Sequence, residues 1–355
     1  MTVVAVTGIS GHLGRAFAAL LDEREDVRRV VGVDLVEPPP GRTLEFYRLD
    51  VRSSALDDVI AGCDVLVHLA TTTAPMRDEP KMRDGNVGGT RNVLRAAAAA
   101  GVSKVIVTSS AMVYGAHPDN DFPLTESSPI RPVRDFPYSA HMGECEEIVA
   151  DFREANPRIT TTVFRPAVLL GPEVRGSAAR AISSGLVPGV GGYDPPVQAV
   201  HADDAARALV WAVDHELDGA YNLCPGDWID PDAYAGIVAE RRVVHGRLAW
   251  PPAVARRRLD RLWALGLSAV PGSFVPFLMY PWVMSNEKLT GTGFSFEHTT
   301  TDAVRAAVQA RAGRVSVGPF SVRTKRVAAV GAGVALVTGS LARRAARHRR
   351  STRGS

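Results

Sequence analysis

Thr7-Gly8-Ile9-Ser10-Gly11-His12-Leu13-Gly14 follows the apolar run Val3-Val4-Ala5-Val6 and opens into a helical pattern at Arg15–Leu21. The order is buried strand, glycine-rich turn, helix. In that context glycines let the main chain turn sharply and approach a bound group closely, while free N–H groups at the helix start meet negative charge. The pattern predicts a pyrophosphate cradle.

Working outward, Val30-Val31-Gly32-Val33-Asp34 is the next strand, and its terminal acid lies twenty residues after Gly14. A carboxylate there accepts both hydroxyls of an adenosine ribose and repels a 2′-phosphate, so the expected cofactor is NAD rather than NADP. Leu44–Leu49, Asp64–Leu69 and Val102–Ser109 read as further strands, separated by helical runs at Ser54–Ala61 and Asn86–Ala100. Glu144–Phe152 continues with a helix and Thr161–Phe164 with a strand. Alternating strands and helices predict an α/β fold: a doubly wound, Rossmann-like parallel sheet with a smaller, partly discontinuous substrate domain.

After Pro166 the period loosens. Gly171–Gly192 is rich in Gly and Pro, Asp203–Val213 is helical and Ala220–Cys224 is strand-like. The expected organisation is an NAD-binding core over 1–170, a substrate-binding region interleaved with late core elements over 171–310, and a basic extension over 311–355 that holds an apolar helix at 327–342.

The 355 residues, 46% of them hydrophobic, exclude a disordered chain, a disulfide-stapled miniprotein and a many-span membrane protein. The net charge of +3 is local in origin, because nine Lys and Arg beyond residue 320 have no acid among them. The body is therefore acidic, and no nucleic-acid partner is expected. Cys63, Cys145 and Cys224 have no C-x-x-C spacing, which predicts a reducing compartment and no metal site. Met1 leads almost directly into a strand, so a cytoplasmic location is expected, at the inner face of the membrane if the tail anchors there.

Two late stretches bear on that point. Ala264–Met284 has 21 residues without a charge, but Pro271, Pro276 and Pro281 favour a buried lid or core segment, or else an apolar substrate wall or membrane-facing surface, over a spanning helix. Val327–Ala342, 16 apolar residues between Arg323/Lys325/Arg326 and Arg343/Arg344, reaches about 24 Å as a helix. That falls short of the roughly 30 Å hydrocarbon core. It suits peripheral or C-terminal membrane association, or a helix docked on the body or on a partner.

On Thr7–Gly14, Asp50-Val51, His68-Leu69-Ala70, Asn86 with Gly89-Thr90-Arg91-Asn92, Ser109–Gly115, Tyr138, Arg165-Pro166 and Val200–Asp204, the chain resembles the extended short-chain dehydrogenase/reductase family. The branch is that of the NAD-dependent epimerases and dehydratases, and the resemblance covers roughly residues 2–310. It implies that Gly8, Ser10, Gly11, His12, Leu13 and Gly14 hold the cofactor together with Asp34. Asp50 and Val51 would flank the adenine, and Leu69, Ala70, Thr71 and Ser109 would line the cofactor. Asn86 would support the site, and Pro166 would pack near the nicotinamide. Tyr138 and Ser110 would be the catalytic pair, with Tyr138 also touching the cofactor. His68 and His201 read as structural, and Asp203 or Asp204 as a helix N-cap. Homodimerisation through Asn86–Ala100 and Tyr138–Phe152 is also implied.

The family pattern is Tyr-x-x-x-Lys, and this chain has Met142 at the lysine position. Lowering a phenol from about 10 to about 7 requires roughly 4 kcal/mol of anion stabilisation, which a thioether does not supply. His141, three residues from Tyr138, is the candidate partial substitute, and turnover is expected to be slow or to need elevated pH. Ala111 and Met112 stand where the dehydratase members carry an acidic pair, which disfavours dehydration.

The expected function is an NAD-dependent oxidoreductase or epimerase-like enzyme acting on a secondary alcohol or ketone as its small-molecule substrate. A hydrophobic or steroid-like substrate would suit the apolar stretch, as in 3β-hydroxysteroid dehydrogenase-like relatives. The alternatives are a nucleotide-sugar epimerase, with Arg175, Arg180 and Arg207 as candidate phosphate clamps, and a non-catalytic NAD-binding sensor or scaffold.

Overall fold

The computed structural model describes residues 1–73, 75–174, 188–240, 248–310, 314–317 and 320–323. Seven strands form one sheet in the order β10 (Gly219–Leu223), β6 (Thr160–Pro166), β5 (Lys104–Thr108), β4 (Val65–His68), β1 (Thr2–Thr7), β2 (Val27–Asp34) and β3 (Leu44–Arg48). Every neighbouring pair is parallel. The chain starts in the middle, runs outward to β3, then returns to lay β4 on the other side of β1. That reversal leaves a crevice at the carboxyl ends of β1 and β4, the place where open α/β sheets bind ligands.

Residues of β1 alternate between two cores. Val4 and Val6 pack with Phe17 and Leu21 of α1 (His12–Asp22) and with Leu209 of the helix Ala202–Asp214. Val3 and Ala5 pack on the opposite face with Leu56, with Leu94 and Ala97 of α4 (Gly89–Ala100), and with Val149 and Phe152 of α5 (Pro137–Ala155). With both faces covered, near-continuous Val and Ala is the composition the strand needs, and each buried valine contributes about 1.5–3 kcal/mol relative to exposure. The doubly wound sheet is as the sequence predicts.

The differences lie at element boundaries. The run read as a helix from Asn86 opens with a single wide π turn, Asp84–Gly88, before α4. The helix read from Glu144 begins at Pro137, which occupies its first turn. Tyr138, Ser139, His141, Met142, Gly143, Cys145 and Glu146 are all buried there, so the first two turns have no polar stripe from which periodicity could be read.

Beyond β6, β7 (Val168–Leu170) pairs in parallel with β9 (Ala199–His201), covered by the helices Pro231–Ala239 and Thr300–Gln309. The helix Pro252–Ala264 packs Ala255 and Leu259 on Val190 and Val275. The uncharged stretch 264–284 contains a short 3-10 segment, Gly272–Leu278, that is packed internally. Among the described residues, no helix is long and apolar enough to cross a membrane. The run 327–342, Arg175 and Arg180 lie outside the described residues.

Candidate active site

Gly8 ends β1 with φ +77, and a Cβ there would sit 2.6 Å from the Ala70 nitrogen, so only glycine lets the β1 and β4 ends approach this closely. Gly14 faces the Gly8 carbonyl oxygen, where a Cβ would collide. No side chain caps the start of α1, since Gly11 is its N-cap residue. The first-turn N–H groups therefore remain for an anion.

They border a cavity of about 360 Å³. Of the residues predicted from sequence, Gly8, Gly11, His12, Leu13, Gly14, Leu69, Thr71, Ser109, Ser110, Tyr138 and Pro166 line it. Ser10, Asp34, Asp50, Val51, Ala70 and Asn86 stand outside that lining. The lining also includes Met112, which stands where the dehydratases carry an acidic pair, Ala167 beside Pro166, and Trp282 of the uncharged stretch; Thr73, Thr108, Val168, Leu169 and Val174 were not read as site residues. Two of its polar atoms, Thr108 Oγ1 and His12 Nδ1, are buried without a partner among the described residues. A glycine cradle, uncapped N–H groups and unpaired polar atoms in one cavity fit a dinucleotide.

The residues outside the lining hold its walls. Asp34 accepts N–H bonds from Ser10 at 3.0 Å, Leu35 at 2.7 Å and Val36 at 3.3 Å, which ties the β2 end to the glycine turn. Asn86 accepts from Thr72 N–H at 2.7 Å and donates back to the Thr72 carbonyl at 3.3 Å, so it braces the segment after β4. Asp50 is paired with Arg52 at 2.5 Å, and that hydrogen bond holds its carboxyl below the usual range. The Val51 carbonyl accepts from Asn92 at 2.6 Å.

Tyr138 and Ser110 meet in the cavity. The serine is fixed by the Met112 N–H, which donates to its hydroxyl at 3.2 Å at the head of the 3-10 turn Ala111–Tyr114. Burial pushes the Tyr138 phenol up to about 12, opposed by its hydrogen bond with Ser110. Met142, one helical turn on, is 1% exposed. His141 does not serve the phenol as expected: it binds Glu79 at 2.8 Å, and the groups acting on Tyr138 are Ser110 and Cys145.

Behind the pair runs a buried polar chain. Ser109 donates to Glu146 at 2.6 Å, Arg165 grips Glu146 at 2.8 and 2.5 Å and donates to the Tyr114 hydroxyl at 2.8 Å, and Tyr114 donates to Asn222 at 2.7 Å. The Arg165 and Glu146 side chains are each 6% exposed, so each needs the other. Glu146 was not read from the sequence as a site residue, because its role depends on Arg165 on a different element.

The other candidates have structural duties. His68 is sealed between Thr7 at 2.7 Å and Thr90 at 3.1 Å, and burial lowers it to about 4. His201 caps the helix Ala202–Asp214 and stacks on His298 with ring centroids 4.0 Å apart. These two and Asp203 offer neighbouring ligand atoms, but stacked ring planes do not converge on one ion. Arg207 is held by Asp204 at 2.8 Å and Glu297 at 3.2 Å, which removes it as a free phosphate clamp. From the uncharged stretch 264–284, Trp282 alone among the described residues enters the lining. The expected apolar substrate wall is mostly internal packing.

A family model described as the NAD dependent epimerase/dehydratase family matches residues 4–224. An uncharacterized protein of Mycobacterium tuberculosis is 29% identical over 232 residues, covering 62% of this chain and 61% of that protein. The chain thus spans about six-tenths of that relative's length. A UDP-glucose 4-epimerase of Erwinia amylovora is 28% identical over 265 residues, covering 63% and 78%. Two solved structures share the fold. The UDP-glucose 4-epimerase of Thermotoga maritima with UDP-glucose has a TM-score of 0.68 at 18% identity, covering 87% of this chain and 98% of that one. MoeE5 in complex with UDP-glucuronic acid and NAD has a TM-score of 0.67 at 22% identity, covering 86% and 98%.

Proposed function

The chain belongs to the NAD-dependent epimerase/dehydratase family, and from that premise we propose that its cavity binds NAD and that the protein moves hydride at a secondary carbinol of a nucleotide sugar. The observation that carries this reading is the shared cavity: Tyr138 and Ser110 line the same space as the uncapped start of α1. The names of similar proteins support the sugar class, since both solved structures above hold UDP-sugars. Nothing on the chain favours a steroid-like substrate over it.

In this reading the N–H groups of His12 and Leu13 hold the pyrophosphate, and Asp34 keeps acceptor capacity for the ribose hydroxyls. When bound, NAD supplies the hydride acceptor. Ser110 positions the carbinol oxygen and Tyr138 takes its proton, which couples proton removal to hydride departure. Without a neighbouring ammonium the phenolate is scarce at neutral pH, so turnover is slow there. Ala111 and Met112, without acid groups, leave water elimination unassisted. We also assign residues 1–170 to cofactor binding and 171–310 to the substrate, and place the protein in a reducing, cytoplasmic setting on its three buried free thiols.

The test is titration calorimetry with NAD, followed by incubation with UDP-hexoses and NMR of the sugar product. NAD binding with a changed ring configuration is the expected result. Absence of heat with NAD, on folded protein, overturns the reading. NAD binding without turnover of any sugar selects a second reading, a cofactor sensor, which the buried Met142 beside Tyr138 favours.

A further inference from the structure

The helix Pro252–Ala264 divides its residues by chemistry. Ala255 and Leu259 face inward. Arg257, Arg261 and Leu265 follow one another at intervals of four along the outward side, with Val254 at the same side's start. Leu265 is 72% exposed, Leu267 41% and Val254 37%. Arg256 is paired with Asp135 at 2.9 Å and Arg258 lies over Trp250 at 4.7 Å, whereas Arg257 and Arg261 have no acidic partner among the described residues. Arg77 adds a further charge, donating to the Trp263 carbonyl at 2.9 Å beside Gly266. The helix's single acid, Asp260, is turned to the Gly272 N–H at 2.8 Å.

We propose that this stripe of exposed leucines and unpaired arginines docks on an anionic phospholipid bilayer. Arginine lying among exposed apolar side chains is the composition of a helix that settles in the headgroup layer: the leucines leave water while the guanidinium groups meet phosphate. The segment beyond residue 320 carries nine cations and no acid, so it offers the arginines of the stripe no complementary charge. Both regions instead suit the same negatively charged partner. The leucines select a bilayer over a nucleic acid, which would match the charge alone. Inside the stripe, the helix rests on the segment Gly272–Leu278, whose Phe274 and Phe277 rings meet Phe136, next to Phe136's own edge contact with Tyr138. The docking face is thus separated from Tyr138 by that segment and the Phe136 ring.

The full chain is sedimented with vesicles of phosphatidylcholine containing phosphatidylglycerol, and with phosphatidylcholine alone. Binding to the first and not the second is expected. Arg257→Glu/Arg261→Glu and, separately, Leu265→Asp/Leu267→Asp should each weaken partitioning about tenfold or more. The replaced side chains are exposed, and thermal melting checks that each variant is folded. As a second readout, Leu265→Cys is labelled with an environment-sensitive dye, the three native thiols being buried. A blue shift on adding the anionic vesicles is expected. Equal binding of variants and parent shows that the terminal segment alone does the work and overturns the proposal. So does an absent dye shift, or retention by nucleic acid without retention by vesicles.

Discussion

Tyr138 and Met142 stand one turn apart on α5, both buried, and the side chain one turn beyond the phenol is an uncharged thioether. Burial outweighs the lowering effect of the Ser110 hydroxyl, and the phenol stands pushed up to about 12.

The rate should therefore climb with pH. The reactive form is the phenolate, so kcat/KM rises about tenfold per unit across the range from roughly pH 7 to pH 10. A flat profile would mean that another group carries the proton.

Replacing Met142 with lysine should raise the neutral-pH rate at least roughly tenfold and move the profile's midpoint down. The site is 1% exposed, so the variant should also lose a few kcal/mol in urea titration, read at pH 7. Tyr138→Phe should keep NAD affinity and lose turnover by about a hundredfold or more.

Gly14→Ala places a Cβ against the Gly8 carbonyl. Cofactor binding should disappear in calorimetry, with a loss of about 1–3 kcal/mol in stability from main-chain displacement. Asp34→Ala should weaken NAD about tenfold and narrow its advantage over NADP, because the charge that repels a 2′-phosphate is gone. An unchanged ratio of the two dissociation constants would sink that assignment.

Much of this was legible in the chain because two adjacent strands and their glycine turn carry their own signal. Gly8, Gly14 and Asp34 are local: backbone conformation and strand-end position fix them. Trp282, Val174 and Thr108 reach the cavity only through the tertiary path of the chain, and no spacing announces them. Glu146 shows the limit most clearly. Its meaning depends on Arg165, 19 residues away, and a buried acid on a helix without a polar stripe looks like any surface acid until its partner is seen. The stretch 264–284 misled for the opposite reason: uncharged composition suggested burial throughout, yet Leu265 and Leu267 are exposed, and only from Val270 onward do buried positions recur, against partners the sequence could not name.

Arg165→Met alone strands the Glu146 carboxylate and should cost about 3–5 kcal/mol by urea denaturation. Removing both charges together, as Arg165→Met/Glu146→Leu, should recover a large part of that loss. An additive double variant would show that the two side chains are not coupled.

His68 gives the fold an acid limit. It titrates near 4 when folded and near 6.5 when unfolded, so between those values the unfolded chain holds the extra proton and stability rises with pH. Falling pH through that window should remove about 3 kcal/mol. His68→Asn should be less stable at pH 7 yet show a shallower decline of Tm from pH 6.5 to pH 4.5.

The seventh strand of the sheet, β10, comes from residues 219–223 and hydrogen-bonds directly to β6. During synthesis, the first 170 residues leave the ribosome with the β6 edge bare, and it stays so until some fifty more have followed. An uncovered parallel edge is a template for pairing with other chains. A fragment cut at the end of the cofactor-binding region should therefore aggregate when expressed alone, whereas one extended past Leu223 closes its own sheet.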